Sequence, residues 1–433
     1  MLAMQGGYRI ASARRGTDFI RSRIANTRGG REPVESDAGA RYCLVAMHLA
    51  IYAHPFDLDA LAPHGGLARL RDLGFQEVAL ATSYHDGRWL QPWHPAGRVR
   101  FLEDGTVHFR PRGDYGLLRP LASSSVPAEG PSPLERLCAE APRAGLAVRA
   151  WTVFTHNSRL GALHPGLCVE NAFGDRYPYA LCPAQPAVRD YVANLCADLG
   201  RHQGLATIEC EALGQMGHKH GSHHDKASFA ASGLFDAALS ACFCAACRAR
   251  LAEHGADPEA VRGAVAEQID GWTRDGDAMQ PGRVAQGPDE QLAAGGASWL
   301  GPVLAVRART AQELAAATAV PGVRRAIQVH PHPWFTGSQL GATSAAVFPA
   351  GDERVVTCYG EGPDAIGRLL GGWSRGSPRR VCIWPKTPQF TTDADLANLR
   401  ERLAAHDVRS LAIYHLGLLP WRTIERVAKI CRA

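Results

Sequence analysis

Eight short runs rich in β-branched and apolar residues recur along the chain, each bounded by turn residues. They are Cys43–Ala50, Glu77–Ser83, Ala147–Phe154, Ala206–Glu211, Arg325–His330, Arg354–Tyr359, Arg380–Trp384 and Ser410–His415. Several are almost continuously apolar, the pattern of parallel strands buried on both faces. Helical patterns fill the gaps. Leu67–Leu73, Pro133–Ala144 and Pro186–Leu199 precede the second, third and fourth runs, and Asp364–Leu370, Asp393–Ala405 and Trp421–Cys431 follow the sixth, seventh and eighth. Strand and helix alternating eight times predict an α/β fold closed as a (β/α)8 TIM barrel rather than an open sheet.

Two stretches exceed the minimal repeat. After the second strand, residues 84–132 contain Arg98–Phe109, which reads as a hairpin turning at Glu103-Asp104-Gly105. After the fourth, residues 212–320 hold a His-rich loop and then helices. Both insertions fall at the C-terminal ends of strands, the barrel face that carries active sites.

Charge placement narrows the partners. Of the formal net charge of +5, residues 1–42 supply +4, from eight arginines against four acidic residues, which leaves +1 for residues 43–433. A nucleic-acid binder concentrates basic charge on its folded body, so no nucleic-acid partner is expected. Residues 1–42 lack the apolar core of a signal peptide and read as a disordered Arg-rich extension ahead of a barrel spanning 43–433. No apolar run approaches the roughly 20 residues of a membrane helix, so no membrane partner is expected either. The twelve cysteines are scattered, with Cys43, Cys210, Cys358 and Cys382 inside apolar runs, which suits reduced thiols in a cytoplasmic protein.

The chemistry is expected around the fourth strand. Glu209 and Glu211 stand two apart, so both side chains point to one face. Glu211, nearer the C-terminal end, is the better candidate for an acid whose desolvated carboxyl keeps its proton, with Glu209 second. The loop beyond is dense in polar residues: His218, Lys219, His220, His223, His224, Asp225 and Lys226. Imidazoles and a carboxylate suit a metal, but the spacing is not H-E-x-x-H and the two lysines oppose a cation. His220, His223, His224 and Lys226 serve equally as donors to sugar hydroxyls, or as a solvated loop. Other strand ends add Tyr84, His85, His156, Asn157, Trp384 and Tyr414, rings and polar groups that suit a sugar pocket. Glu361, after the sixth strand, is the candidate partner for Glu211 in two-carboxylate glycoside chemistry.

Cys242, Cys244 and Cys247 form C-x-C-x-x-C at an expected helix start. Three such thiols fit a structural zinc completed by Cys182 or a histidine, packed reduced thiols, or redox chemistry. Nothing else in the chain calls for a cofactor.

Trp151–Arg159, Asn171–Asp175, Leu181-Cys182-Pro183 with Val188-Arg189, and Ile208–Glu211 together resemble uncharacterised bacterial (β/α)8-barrel proteins related to glycoside hydrolases. The Cys242–Cys247 run is similar to the Cys-rich segment after the fourth strand of several such barrels, including the β-galactosidase type with a cysteine-bound zinc. Tyr414-His415-Leu416-Gly417 resembles their last-strand signature. The resemblance implies a carbohydrate ligand and places an acid on the fourth strand, where Glu211 stands. It also implies a nucleophile on the seventh, yet that strand ends Trp384-Pro385-Lys386-Thr387 with no carboxylate. The expected function is therefore glycosidase-type hydrolysis by carboxylate acid/base catalysis. A metal-dependent hydrolase built on His218–Asp225 and an inactive carbohydrate-binding barrel are the alternatives.

Overall fold

The computed structural model describes residues 47–95, 97–218, 233–274, 297–341, 352–373, 377 and 379–432. The extension at 1–42 lies outside them. Eight strands, β1 (His48–Ala53), β2 (Phe75–Tyr84), β3 (Ala147–Val153), β4 (Leu205–Glu211), β5 (Arg324–His330), β6 (Glu353–Cys358), β7 (Arg380–Ile383) and β8 (Ser410–Ile413), pair in parallel in chain order. The ring closes through β8 onto β1, where Ile413 sits opposite Ile51. It is the (β/α)8 barrel that the eight runs predict. No helix among the described residues is long and apolar enough to cross a membrane.

Period-two alternation sorts the strand residues into two separate packings. Outward-facing Leu49, Ile51, Val78, Leu80, Val148, Ile208, Ile327, Val356, Val381 and Leu411 meet the surrounding helices in the larger core. Inward-facing Ala50, Tyr52, Ala79, Ala81, Trp151, Ala326, Cys382 and Ala412 form the lumen. Alanine on several strands leaves the lumen room for long side chains on the others, and the chain fills it with charge. Arg149 Nε lies 2.7 Å from Glu77, its Nη1 3.1 Å from Glu209 and its Nη2 2.6 Å from Glu353. Arg380 bridges Glu77 at 2.5 Å and Glu353 at 2.8 Å. The two guanidiniums hold the Glu77 carboxyl well below the usual carboxylate range against the upward push of burial.

The helices start where local chemistry directs. Ser132 caps the helix Pro133–Glu140: its Oγ accepts from Glu135 N at 3.3 Å while Glu135 accepts from Ser132 N at 2.7 Å. Proline occupies the first turn there and in Pro186–Leu199 and Pro363–Leu370, where a missing N–H costs nothing.

Two expectations need correction. The first strand, expected at Cys43–Ala50, runs from His48 to Ala53, because Ile51, Tyr52 and Ala53 continue its burial and pair with Val78, Ala79 and Leu80. The Glu103-Asp104-Gly105 turn forms, with Gly105 at φ 61°, but it does not join a hairpin of its own. Val99–Leu102 pairs instead with Gly87–Leu90, and Thr106–Val107 runs antiparallel to the end of β2, drawn there by Gly105 N donating to Tyr84 O at 3.1 Å. After β4, the helices Gly233–Leu239, Ala245–Glu253, Pro258–Arg274 and Leu300–Ala317 build a satellite core around Phe235, Phe243, Ile269 and Trp299.

Candidate active site at the barrel mouth

One strand carries two carboxylates into different surroundings. Glu209, fully buried, accepts from Arg149, from Gln328 Nε2 at 2.8 Å and from the Tyr52 hydroxyl. It belongs to the charged plug, and its oxygens are occupied by structural donors. Glu211 stands one rung closer to the open end and is 6 % exposed. Its partner is an indole rather than a cation: Trp151 Nε1 donates to Oε2 at 2.5 Å. Burial pushes its carboxyl up to about 7, against the opposing pull of hydrogen bonds from Trp151, Ser338 and Gln328.

Aromatic rings surround this carboxyl. Trp151 meets Tyr52 and Tyr84 edge to face, each at 4.9 Å between centroids, and the Tyr84 and Tyr414 hydroxyls are 3.0 Å apart. Tyr359 and Trp384 pack on Tyr414 at 4.4 and 5.6 Å, and the Lys386 ammonium sits 3.5 Å over the Trp384 ring. His85 stacks between Tyr84 and His156, at 4.2 Å from each. The strand-end residues Tyr84, His85, His156, Trp384 and Tyr414 are thus linked around the mouth, ring against ring.

Other candidates are placed differently. Asn157, read as a sugar contact, is buried and caps the helix Ser158–Leu163, its Oδ1 accepting from Leu160 N at 2.9 Å. Its Oδ1 is committed to an orphan helix N–H. Glu361 is half-buried on the loop after β6 and folds back to accept from Gly360 N at 3.0 Å. Its charge acts on Cys358 and Lys386, whereas the carboxylate acting on Glu211 is Glu209. His220, His223, His224 and Lys226 lie outside the described residues.

The structure adds three residues from the segments after β1 and β8. His54, just past β1, is 1 % exposed, and neither of its ring nitrogens has a hydrogen-bond partner. Burial and the positive field of neighbouring groups push its pKa well below the usual imidazole value. Asp57 accepts from His54 N and from Gln91 Nε2, both at 2.8 Å, and burial raises it to about 7. Its Oδ2 lies 3.6 Å from His415 Nδ1, and His415 Nε2 is buried without a partner. Gly417 makes room for this pair, since a Cβ there would come within 1.9 Å of Asp57 Oδ1. The sequence did signal His54 and Asp57, as a polar stretch at a strand end, but a first strand ended at Ala50 hides it. A cleft of about 350 Å³ opens beside them, between β1 and the insertion after β2, with His54 and Tyr84 in its wall.

The three cysteines of the C-x-C-x-x-C run gather with a fourth. Cys182 Sγ lies 3.6 Å from Cys247, 3.8 Å from Cys242 and 3.6 Å from Cys244, and all four sulfurs fall within 4.8 Å of one another. All four are buried and free of disulfides. Zinc–thiolate bonds of about 2.3 Å in a tetrahedron put the sulfurs about 3.8 Å apart, so the donor set fits zinc in type, number and spacing.

No protein-family model matches the sequence, and no curated protein matches it. Solved structures do match. The PgaB (BpsB) glycoside hydrolase domain of Bordetella bronchiseptica superposes with a TM-score of 0.51 at 12 % identity, covering 89 % of this chain and 98 % of that one. The catalytic domain of β-amylase from Paenibacillus polymyxa follows at a TM-score of 0.48 and 12 % identity, over 88 % and 98 % of the two chains. What the PgaB domain shares with this chain is the (β/α)8 barrel. At such identities the likeness is one of fold, and activity has to be argued from the site.

Proposed function

We propose that this barrel is a glycosidase-type hydrolase acting on a carbohydrate or glycoconjugate, with Glu211 as its acid/base. The observation that carries the reading is Glu211 itself: a carboxyl at the open end of the lumen, stripped of water, given an indole N–H and no cation, and raised to about 7. Such a group holds a proton near neutral pH and can deliver it to a leaving glycosidic oxygen. The rings of Tyr84, Trp151, Tyr359 and Tyr414 pack on one another around it and keep water from the carboxyl.

For the second group we assign the Asp57–His415 pair rather than Glu209 or Glu361. Glu209 is occupied by Arg149, Tyr52 and Gln328, and Glu361 by its own loop. His415 Nδ1 accepts from Gly417 N at 3.3 Å and lies 3.6 Å from Asp57 Oδ2, so its neutral ring carries the proton on the unpartnered Nε2 and can donate there, while Asp57 is the carboxyl of the pair. Trp151 links the two, with Nε1 on Glu211 and its ring 6.0 Å from His415. The site therefore needs no carboxylate at the end of β7. We further propose that the four-cysteine site holds zinc. Four thiolates close its coordination, so the metal would be structural and take no part in turnover.

A panel of chromogenic glycosides tests the reading with Glu211→Gln run in parallel. We expect release that falls by at least about 100-fold in the variant, the usual scale of general acid catalysis. Undiminished release would remove Glu211 from the chemistry. Saturable sugar binding with no release from any member would favour a barrel that binds without hydrolysing.

A further inference from the structure

We propose that the cleft beside β1 holds an anionic group of the ligand, so that the preferred saccharide is acidic: a uronic acid, or a sugar bearing a sulfate or phosphate ester. That the anion belongs to a saccharide rests on the function proposed above. That the cleft takes an anion rests on its own walls.

The cleft, about 350 Å³, has the size of a small-molecule site. Its one guanidinium is Arg100. Stacking on Phe56, with Cζ 4.2 Å from the ring centroid, and an Nε–H bond to Gln91 Oε1 at 3.0 Å fix the plane of that group. Among the described residues no carboxylate forms an ion pair with it and its two terminal nitrogens make no hydrogen bond; the carboxylate in its field is Asp57, linked to it through Gln91. Of the acidic residues in the same walls, Asp59 is neutralised, while Glu103 keeps a charge that acts on His108. Asp59 bridges Arg136 at 2.9 Å, and Glu103 accepts from the backbone N–H of Ser124 at 3.0 and 3.3 Å. A planar, pre-oriented fork with both terminal nitrogens open matches a carboxylate, sulfate or phosphate.

His54 supplies the second, independent observation. It lies in the same wall, 1 % exposed, with both ring nitrogens unpartnered. A buried imidazole without a partner is costly in the free protein, and a ligand oxygen would relieve that cost. Phe101, at the rim, is 74 % exposed despite its size, a free aromatic face beside a polar pocket. Guanidinium and imidazole thus line one space large enough for a sugar ring.

Titration calorimetry on Glu211→Gln, which separates binding from turnover, compares methyl glucuronide with methyl glucoside, methyl galacturonide with methyl galactoside, and glucose 6-sulfate and 6-phosphate with glucose. At least one acidic member should bind about 10-fold or more tighter than its neutral twin, and that advantage should shrink in high salt. Which acid wins identifies the anion as carboxylate, sulfate or phosphate. Adding Arg100→Gln should cost the acidic sugar roughly 10- to 100-fold, the scale of a charged hydrogen bond, and the neutral one no more than about 2-fold. Arg100→Lys should restore part of the loss. The salt dependence needs no variant at position 100, so a folding defect there leaves the test intact. Equal affinity for acidic and neutral twins, no binding of any acidic member, or equal losses in Arg100→Gln would overturn the inference. Acidic preference in a protein whose native form cleaves no glycoside would instead overturn the hydrolase reading alone. Cleavage of neutral glycosides without acidic preference would do the reverse.

Discussion

Glu209 and Glu211 share a strand, a face and a side chain, and differ by about 7 Å of strand rise. That distance takes the first into contact with Arg149 and leaves the second with an indole and no cation. The difference has a measurable sign. With its carboxyl raised from 4.5 to about 7, folded protein keeps a proton that unfolded chain gives up across that interval. The contribution of Glu211 to stability is therefore whole below about pH 4.5 and is lost as pH rises toward 7. Glutamine cannot ionise, so Glu211→Gln should gain about 1–3 kcal/mol over the native protein at pH 8 and little at pH 5. Urea melts at the two values check this, and an equal difference at both would mean that Glu211 is not desolvated. In turnover, the same group should give a limb that declines above about pH 7, because the acid must be protonated to act.

At the scale of strands and loops, the charged plug makes a sharper demand than any single contact. Removing Arg149 leaves Glu77, Glu209 and Glu353 around a buried gap, with Arg380 alone to compensate. Arg149→Met should cost about 3–5 kcal/mol, read as a lower urea midpoint or as loss of soluble protein. A midpoint within error of the native one would show that water enters the plug. The strands that build this plug were legible, because continuous apolar runs and two-residue alternation survive in any sequence that fills a closed barrel. Glu211 was legible by the same alternation. Asn157 was ambiguous because a polar residue after a strand looks alike whether it meets a ligand or caps the next helix. The plug was hidden by distance: Arg149 and Glu353 stand 204 residues apart and become partners only when the barrel closes. Arg100 was hidden for a similar reason, since its place in the cleft wall with His54 follows only from the pairing of Val99–Leu102 with Gly87–Leu90.

Across the whole molecule, the four cysteines tie two insertions together. Cys182 follows the antiparallel strand Arg176–Leu181 beyond β3, and Cys242, Cys244 and Cys247 open the helical insertion beyond β4. A metal there would fasten the satellite helices to the barrel. Purified protein should carry about one zinc per chain by mass spectrometry, and Cys182→Ser or Cys244→Ser should lower that content with a fall in Tm of roughly 5–10 °C. Full stability without bound metal would leave the cluster as four packed thiols.

The plug also bears on how such a barrel is divisible. Its ion pairs cross the midline between β4 and β5: Arg149 of the first half holds Glu353 of the second, and Arg380 of the second holds Glu77 of the first. A chain cut there would leave Arg149 with Glu77 and Glu209 in the first fragment and Arg380 with Glu353 in the second, so the first alone would hold a buried carboxylate in excess. Duplicating the first half would set two arginines against four glutamates and duplicating the second two against two, so neither copy reproduces the native plug of two against three.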